Sequence, residues 1–294
     1  MTNTKTKYLV TGSSGFLGYH FINFLNNNHI KANGVYNLNK PKLAHSSKHI
    51  KFIKCDLLKT REVSVLPKAQ NVVHFAAIVA GKDKIYINHR ITENIVKYCN
   101  SNKSRLIFIS SSQVLYSINN SYITSKKKSE KYIKKNSGLY TIIRPAAPYG
   151  KPIKQFRLGR KQPLHILAKA TKYPIIPVIG SGNNTRQPLF SEDLNKFILL
   201  VSSDKGSIRK TYNIAGPEVL TYNQIIDIIL KTKNRKAIKI HLPISIAKIM
   251  AIFLTFTDPE NIVASTTNEN VENNCYKRFK LSLTYFKNGC KSLG

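Results

Sequence analysis

The feature that most narrows what this chain can become stands near its start. Residues 8–20 read YLVTGSSGFLGYH: a short apolar run, then Gly12, Gly15 and Gly18, then residues with helical spacing. Glycines in that order let the backbone turn sharply and come close to a diphosphate, whose charge meets the free N–H groups at a helix N-terminus. Three glycines alone are a weak signal. Placed directly after an apolar strand and before a helix, they predict a dinucleotide site.

The first half supplies the sheet such a turn needs. Short apolar runs at 8–11, 32–36, 51–54, 71–75, 105–110 and 140–144 predict strands, with helices over 16–26, 85–100 and 122–135. Six strands with helical crossovers predict an α/β fold, a Rossmann-type doubly wound parallel sheet. After Pro145, prolines and glycines from Pro148 to Gly182 break the alternation and mark a second region. Later segments predict a helix at 191–202, a strand at 211–214 and a helix at 222–232. The expected division is a dinucleotide-binding core over 1–150, with the sheet re-entered at about 174–215, and a smaller C-terminal substrate lobe from 151–173 and 216–294.

Charge is the unusual property: 47 Lys and Arg against 14 Asp and Glu give +33. A nucleic-acid partner would gather such a surplus into a stripe or tail. Here the thirds 1–98, 99–196 and 197–294 carry 15, 18 and 14 basic residues, so the surplus is spread out. That spread matches a Lys- and Asn-rich, AT-driven composition, and no specific nucleic acid is expected. Cys55, Cys99, Cys275 and Cys290 lack zinc spacing, so no metal site is expected and buried free thiols are the default. No signal-peptide pattern opens the sequence, and the longest apolar stretch, 242–256, contains Pro243 and Lys248 and is too short to span a bilayer. A cytoplasmic enzyme is the expectation.

TGSSGFLG resembles the T-G-x-x-G-x-x-G cradle of the extended short-chain dehydrogenases/reductases, the group of NAD-dependent epimerases and dehydratases, and further matches follow in order nearly to the C-terminus. The resemblance implies a cofactor held by Gly12, Gly15, Phe16, Leu17 and Gly18. Asp56 and Leu57 match its adenine-side pair, and His74, Ala76 and Ala77 its H-x-A-A strand end, His74 being read as a satisfied core histidine. An NAD site expects an acid where the second strand ends, to bond the ribose hydroxyls. This chain has Tyr36 and Asn37 there, followed by Lys40 and Lys42, so the reading of NADP or NAD leans to NADP.

Ser112, Tyr122 and Lys126 match the family's catalytic set. Y-x-x-x-K puts both side chains on one helix face a turn apart, but Tyr36–Lys40 and Tyr276–Lys280 share the spacing, and only Tyr122 follows a serine-rich strand end. A free phenol near pKa 10 is a poor base at neutral pH, and lowering it by roughly three units takes about 4 kcal/mol. A lysine about 4 Å away contributes on that order at a dielectric of 20. Lys126 would thus hold Tyr122 ready as acid or base, while Ser112 bonds the reacting oxygen. Ser110 and Ser111 are read as packing or capping residues. Sugar-nucleotide dehydratases carry an acidic pair after the catalytic hydroxyl, where this chain has Gln113 and Val114, which disfavours dehydration.

IIRPAAPYG (142–150) resembles the family's R-P-x-N-x-Y-G turn, with Ala147 in place of the Asn. GSGNNTRQPLFSEDL (180–194) resembles the segment whose Arg grips a nucleotide-sugar phosphate, which makes Arg186 a substrate-binding candidate; Asp193 is read as structural. Lys154, Arg157 and Arg160 are expected to help hold an anion. The implied function is an epimerase or keto-reductase of a nucleotide sugar, an anionic small molecule. The alternatives are a non-catalytic binding protein for RNA or complex assembly and a reductase of a lipid-like alcohol or ketone, with 242–256 on a membrane surface. Relatives dimerise through the helices flanking the tyrosine, so a homodimer is implied, but Lys127, Lys131 and Lys134 on one face oppose it.

Overall fold

The structure, a computed structural model, describes residues 6–79, 83–116, 120–153, 162–246, 267–275 and 278–294. Lys154, Arg157 and Arg160, and residues 247–256 of the long apolar stretch, lie outside the described residues.

Seven parallel strands form the central sheet. In chain order they are β1 (Thr6–Thr11), β2 (Ala32–Tyr36), β3 (Ile50–Lys54), β4 (Ala69–His74), β5 (Arg105–Ile109), β6 (Tyr140–Pro145) and β7 (Lys210–Ile214). Across the sheet they run β7-β6-β5-β4-β1-β2-β3, so the order reverses between β1 and β4. In open sheets of this kind the crevice outside the carboxyl ends at such a reversal receives the ligand. The central strands are apolar on both faces, as strands covered by helices on both sides must be: Tyr8, Leu9 and Val10 are all fully buried.

Helices α1 (Phe16–Asn27) and α6 (Ser191–Ser203) cover one face. Phe21, Ile22, Leu25, Leu194, Phe197 and Val201 meet Val10, Val73, Ile107 and Ile143 there. On the other face, Ile91, Ile95 and Val96 of α3 (Lys84–Asn102) and Ile133 of α4 (Ser121–Asn136) meet Leu9, Val72, Leu106 and Ile142. Small polar residues let these two helices approach: Asn88 donates to Ser125 Oγ at 3.0 Å, and Thr92 shares a hydrogen bond with Ser129. A short helix, α2 (Thr60–Ser64), follows β3.

The remaining elements build a second cluster beside the sheet's carboxyl edge. Helix α5 (Pro163–Ala170) begins on a proline and packs near α7 (Tyr222–Thr232), whose N-terminus is closed by a capping box between Thr221 and Gln224. Strand β8 (Ile175–Ile179) pairs with β9 (Ile238–Leu242) in a separate parallel sheet, while among the described residues beyond 150 only 210–214 joins the central one. The segment 267–275 returns to the core, where Asn273 and Asn274 side chains accept from the backbone N–H groups of Ala215 and Asn213. No helix among the described residues is long and apolar enough to cross a membrane.

Candidate active site

The cradle is built from backbone. Gly12 ends β1 at φ +68, and a Cβ there would stand 2.6 Å from the Ala76 nitrogen. A Cβ on Gly18 would stand 2.2 Å from the Gly12 carbonyl oxygen. Any side chain at either position would push strand, helix and the loop after β4 apart, so the glycines are what lets them meet. Gly15 donates its N–H to the Gly12 carbonyl at 2.9 Å. The N-terminus of α1 carries no side-chain cap and no acid in its first turn, leaving the N–H groups around Phe16, Leu17 and Gly18 to meet an anion. This arrangement fits a dinucleotide diphosphate.

The other expected cofactor residues gather along the same edge. Ala76 and Ala77 follow β4, and the Ala76 backbone walls the Gly12 turn. Asn37 is exposed just beyond β2. After β3, Asp56 Oδ1 accepts the Leu58 N–H at 3.1 Å, while Leu57 is buried in the core. His74 departs from the simple core reading. Its Nδ1 shares a 2.6 Å hydrogen bond with Thr11 Oγ1, but Nε2 is buried without a partner. Burial and the Lys126 charge push the ring down to about 3, which keeps it neutral.

Helix α4 carries the expected pair, started by Asn120, whose side chain accepts the Ile123 N–H. The Lys126 Nζ lies 5.8 Å from the Tyr122 ring centroid, donates to the Ile109 carbonyl at the end of β5 at 2.7 Å, and sits 4.6 Å over the Phe108 ring. Burial pushes this ammonium down to about 8, and the carboxylate of Glu130, one turn further along, opposes the shift. Glu130 is itself buried and accepts from Ser110 Oγ at 2.6 Å and from Arg144 Nε at 2.9 Å and Nη2 at 2.5 Å. Ser110 thus belongs to an ion-pair network, whereas Ser111 caps the turn after β5, accepting from the Gln113 N–H.

Ser112 has a partner that sequence reasoning missed. Its hydroxyl donates to Glu269 Oε1 at 2.5 Å, across 157 residues of chain. Glu269 is 6% exposed, and burial raises its carboxyl above the usual range against the opposing pull of Ser112, the Arg186 charge and the backbone N–H of Gln187. Arg186 donates to the Thr185 and Thr267 carbonyls and lies 5.9 Å from the Tyr222 ring centroid. The sequence around Glu269 carries no signal of this role beyond the scarcity of acids, 14 in the chain. Its single proton is engaged by Glu269, so donating to a substrate oxygen requires Ser112 to turn that hydroxyl away from the carboxyl group.

Two further positions bear on the substrate side. Ala147, where the resemblance expects Asn, has φ +31, a backbone region that Asn tolerates and alanine resists. Asp193 accepts from the Thr284 N–H at 2.7 Å and its hydroxyl at 3.1 Å, the structural role expected of it. Among the described residues no group of three His, Cys, Asp or Glu could hold a metal ion, and the four cysteines are buried.

Thermotoga maritima UDP-glucose 4-epimerase, solved with UDP-glucose, superposes with a TM-score of 0.80 over 98% of this chain and 97% of its own, at 17% identity. A Bacillus cereus UDP-glucuronic acid 4-epimerase, solved with NAD and a fluorinated UDP-glucuronic acid, superposes at 0.75 over 98% and 97%, with 21% identity. At these identities the likeness speaks for the fold. Among curated sequences, mitochondrial NADH dehydrogenase [ubiquinone] 1 alpha subcomplex subunit 9 of Arabidopsis thaliana is 32% identical over 112 residues. That match spans 38% of this chain but only 26% of the plant protein. The profile of the NAD dependent epimerase/dehydratase family matches residues 8–215, from the first strand through the last strand of the central sheet. The chain belongs to the NAD dependent epimerase/dehydratase family, enzymes of the extended short-chain dehydrogenase type.

Proposed function

We propose that this protein is an NAD(P)-dependent epimerase or keto-reductase of a nucleotide sugar. One observation carries the reading: Tyr122 and Lys126 share a face of α4, and the ammonium is anchored at the carboxyl end of β5, two strands from the Gly12 turn at the sheet's reversal point. Gly12, Gly15, Phe16, Leu17 and Gly18 hold the cofactor diphosphate, Asn37 faces the ribose, Asp56 and Leu57 the adenine, and Ala76 and Ala77 the middle. A nicotinamide held there would supply the hydride transfer. Tyr122 exchanges the proton of the reacting hydroxyl, Lys126 stabilises its phenolate, and Ser112 donates a hydrogen bond to the same oxygen. With no carboxylate at Tyr36 or Asn37 to repel a 2′-phosphate, NADP is favoured over NAD. Residues 151–173 and 216–294 form the substrate lobe, and Arg186, from the stretch between those two segments, holds a substrate phosphate.

Native mass spectrometry of the purified protein, followed by incubation with UDP-glucose and NAD or NADP, tests this. A retained dinucleotide and sugar conversion abolished in Tyr122→Phe are expected. Epimerisation leaves absorbance at 340 nm unchanged, whereas reduction consumes NADPH. A protein that takes up neither dinucleotide refutes the reading.

A second reading has an observation of its own. Ser112 already gives its proton to Glu269, and one relative is a subunit of NADH dehydrogenase. A non-catalytic, cofactor-holding subunit would retain the dinucleotide yet convert no sugar. Family-style dimerisation through α3 and α4 would bring the exposed Lys127, Lys131 and Lys134 of two copies together, so a monomer is favoured.

A further inference from the structure

One face of strands β8 and β9 is left open among the described residues. Their register pairs Ile175 with Ile238, Pro177 with Ile240 and Ile179 with Leu242. Paired residues point the same way and successive ones alternate, so these six share one side of the small sheet. The opposite side holds the lobe together, with Ile176 and Val178 buried against Ile225, Ile226 and Ile229 of α7 and Lys239 paired with Asp227 at 2.8 Å. A sheet with one solvated side ordinarily alternates apolar inward with polar outward. This one is apolar on the outside as well. Ile238 is 70% exposed, Ile175 50% and Ile240 43%, with Tyr173 before β8 at 67% and Ile166 on α5 at 51%.

Charge is arranged around one end of that face. Both strands begin at the same end, where the Ile238 N–H donates to the Pro174 carbonyl at 2.8 Å. Lys169 and Lys172 precede β8, Lys233, Arg235 and Lys236 precede β9, and neither 162–190 nor 228–246 contains an acid. Lys169, Lys172 and Lys236 are exposed.

We infer that this face docks on a bilayer surface rich in anionic lipid. The isoleucines and Pro177 enter the boundary between headgroups and acyl chains, Tyr173 lies at the headgroup level, and the lysines meet the lipid phosphates. Neither signal holds a protein alone; apolar burial and cation attraction together do. Nucleic acid fits poorly, because single strands are held by aromatic stacking and aliphatic side chains offer none. A second copy fits less well, since the same face offers no acid to meet the cationic end.

The experiment is vesicle co-sedimentation of the full chain, with phosphatidylcholine alone and with phosphatidylcholine mixed with phosphatidylglycerol. Ile238→Asp with Ile240→Asp tests the apolar part and Lys172→Glu with Lys236→Glu the charged part. Neither pair touches the Tyr122 site, and circular dichroism checks the fold of each. Binding to the anionic vesicles only, weakened roughly tenfold or more by either pair, is the expected result. If the aspartate pair misfolds, Ile238→Ser and the glutamate pair give the same comparison. No binding by the wild type overturns the inference, and so does binding that both variants keep, which would place it on the general +33 surface. A dimer in light scattering that Ile238→Ser dissolves would assign the face to a second copy and overturn it as well.

Discussion

The ion pair beneath the lysine gives the sharpest test of how the site is held. Glu130→Gln keeps size and one acceptor but removes the charge that Arg144 bonds through two nitrogens and Ser110 through its hydroxyl. The two side chains are only 6% and 17% exposed, so solvent does little to rescue the stranded guanidinium. Removing one partner of a buried pair costs about 3–5 kcal/mol. For a chain of this size each kcal/mol lowers Tm by roughly 2–4 °C, so a fall on the order of 10 °C is expected. Thermal unfolding followed by circular dichroism measures it. The double variant Glu130→Gln with Arg144→Met closes a thermodynamic cycle and should recover much of the loss, because no lone buried charge then remains. A drop of less than about 3 °C, or a double variant as unstable as the sum of the singles, would refute the view that the pair acts as one desolvated unit.

Other outcomes follow from the same geometry. Gly18→Ala forces a methyl against the Gly12 carbonyl, so it should cost about 1–3 kcal/mol and weaken dinucleotide binding by roughly tenfold or more; unchanged affinity by isothermal titration would place the diphosphate elsewhere. Lys126 holds its proton only up to about pH 8, so hydride transfer should decline above that pH, and in Glu130→Gln the decline should begin lower. A rate that stays flat past about pH 9 would show that the ammonium does not govern Tyr122. The depressed Lys126 value also means that the unfolded chain binds more protons between about 8 and 10.5, so this group's contribution to stability rises with pH across that window. Glu269 has the opposite sign: its raised carboxyl keeps the folded state protonated longer, so its contribution falls as pH rises above the ordinary carboxylate value. Glu269→Gln should therefore melt higher than wild type at pH 8 and show a shallower pH slope; a lower melting temperature there would mean that the charge is stabilised rather than merely tolerated.

The sheet was legible because its strands announce themselves locally. Apolar runs between turn residues mark β1 to β6 to within a residue or two, and Ser191–Ser203 and Tyr222–Thr232 carry ordinary helical periodicity. The glycine turn was legible as a short string between a strand and a helix, whereas the Tyr122–Lys126 spacing, shared by Tyr36–Lys40 in no helix, was singled out only by the serine-rich strand end before it. What escaped was long-range. Nothing near Glu269 says that it will reach Ser112, because that meeting depends on where 267–275 crosses back over Thr185. Likewise the pairing of β8 with β9 joins segments some sixty residues apart, and α5 is a two-turn helix too short to show a period. His74 was half legible: its burial follows from the strand, but the unpartnered Nε2 depends on what faces it across the sheet edge.

The position of β7 has a consequence for synthesis. It pairs with β6 along five residues, setting Ile214 against Pro145, although 69 positions separate them. At roughly 5–20 residues per second, a ribosome needs about 3–14 s to deliver the missing neighbour. Throughout that interval the nascent chain carries an open edge made of YTIIR, a segment well suited to pairing with another nascent chain. Recovery of native protein on expression should therefore depend on crowding of polysomes and on the pace of translation between these two strands more than on the final stability of the fold.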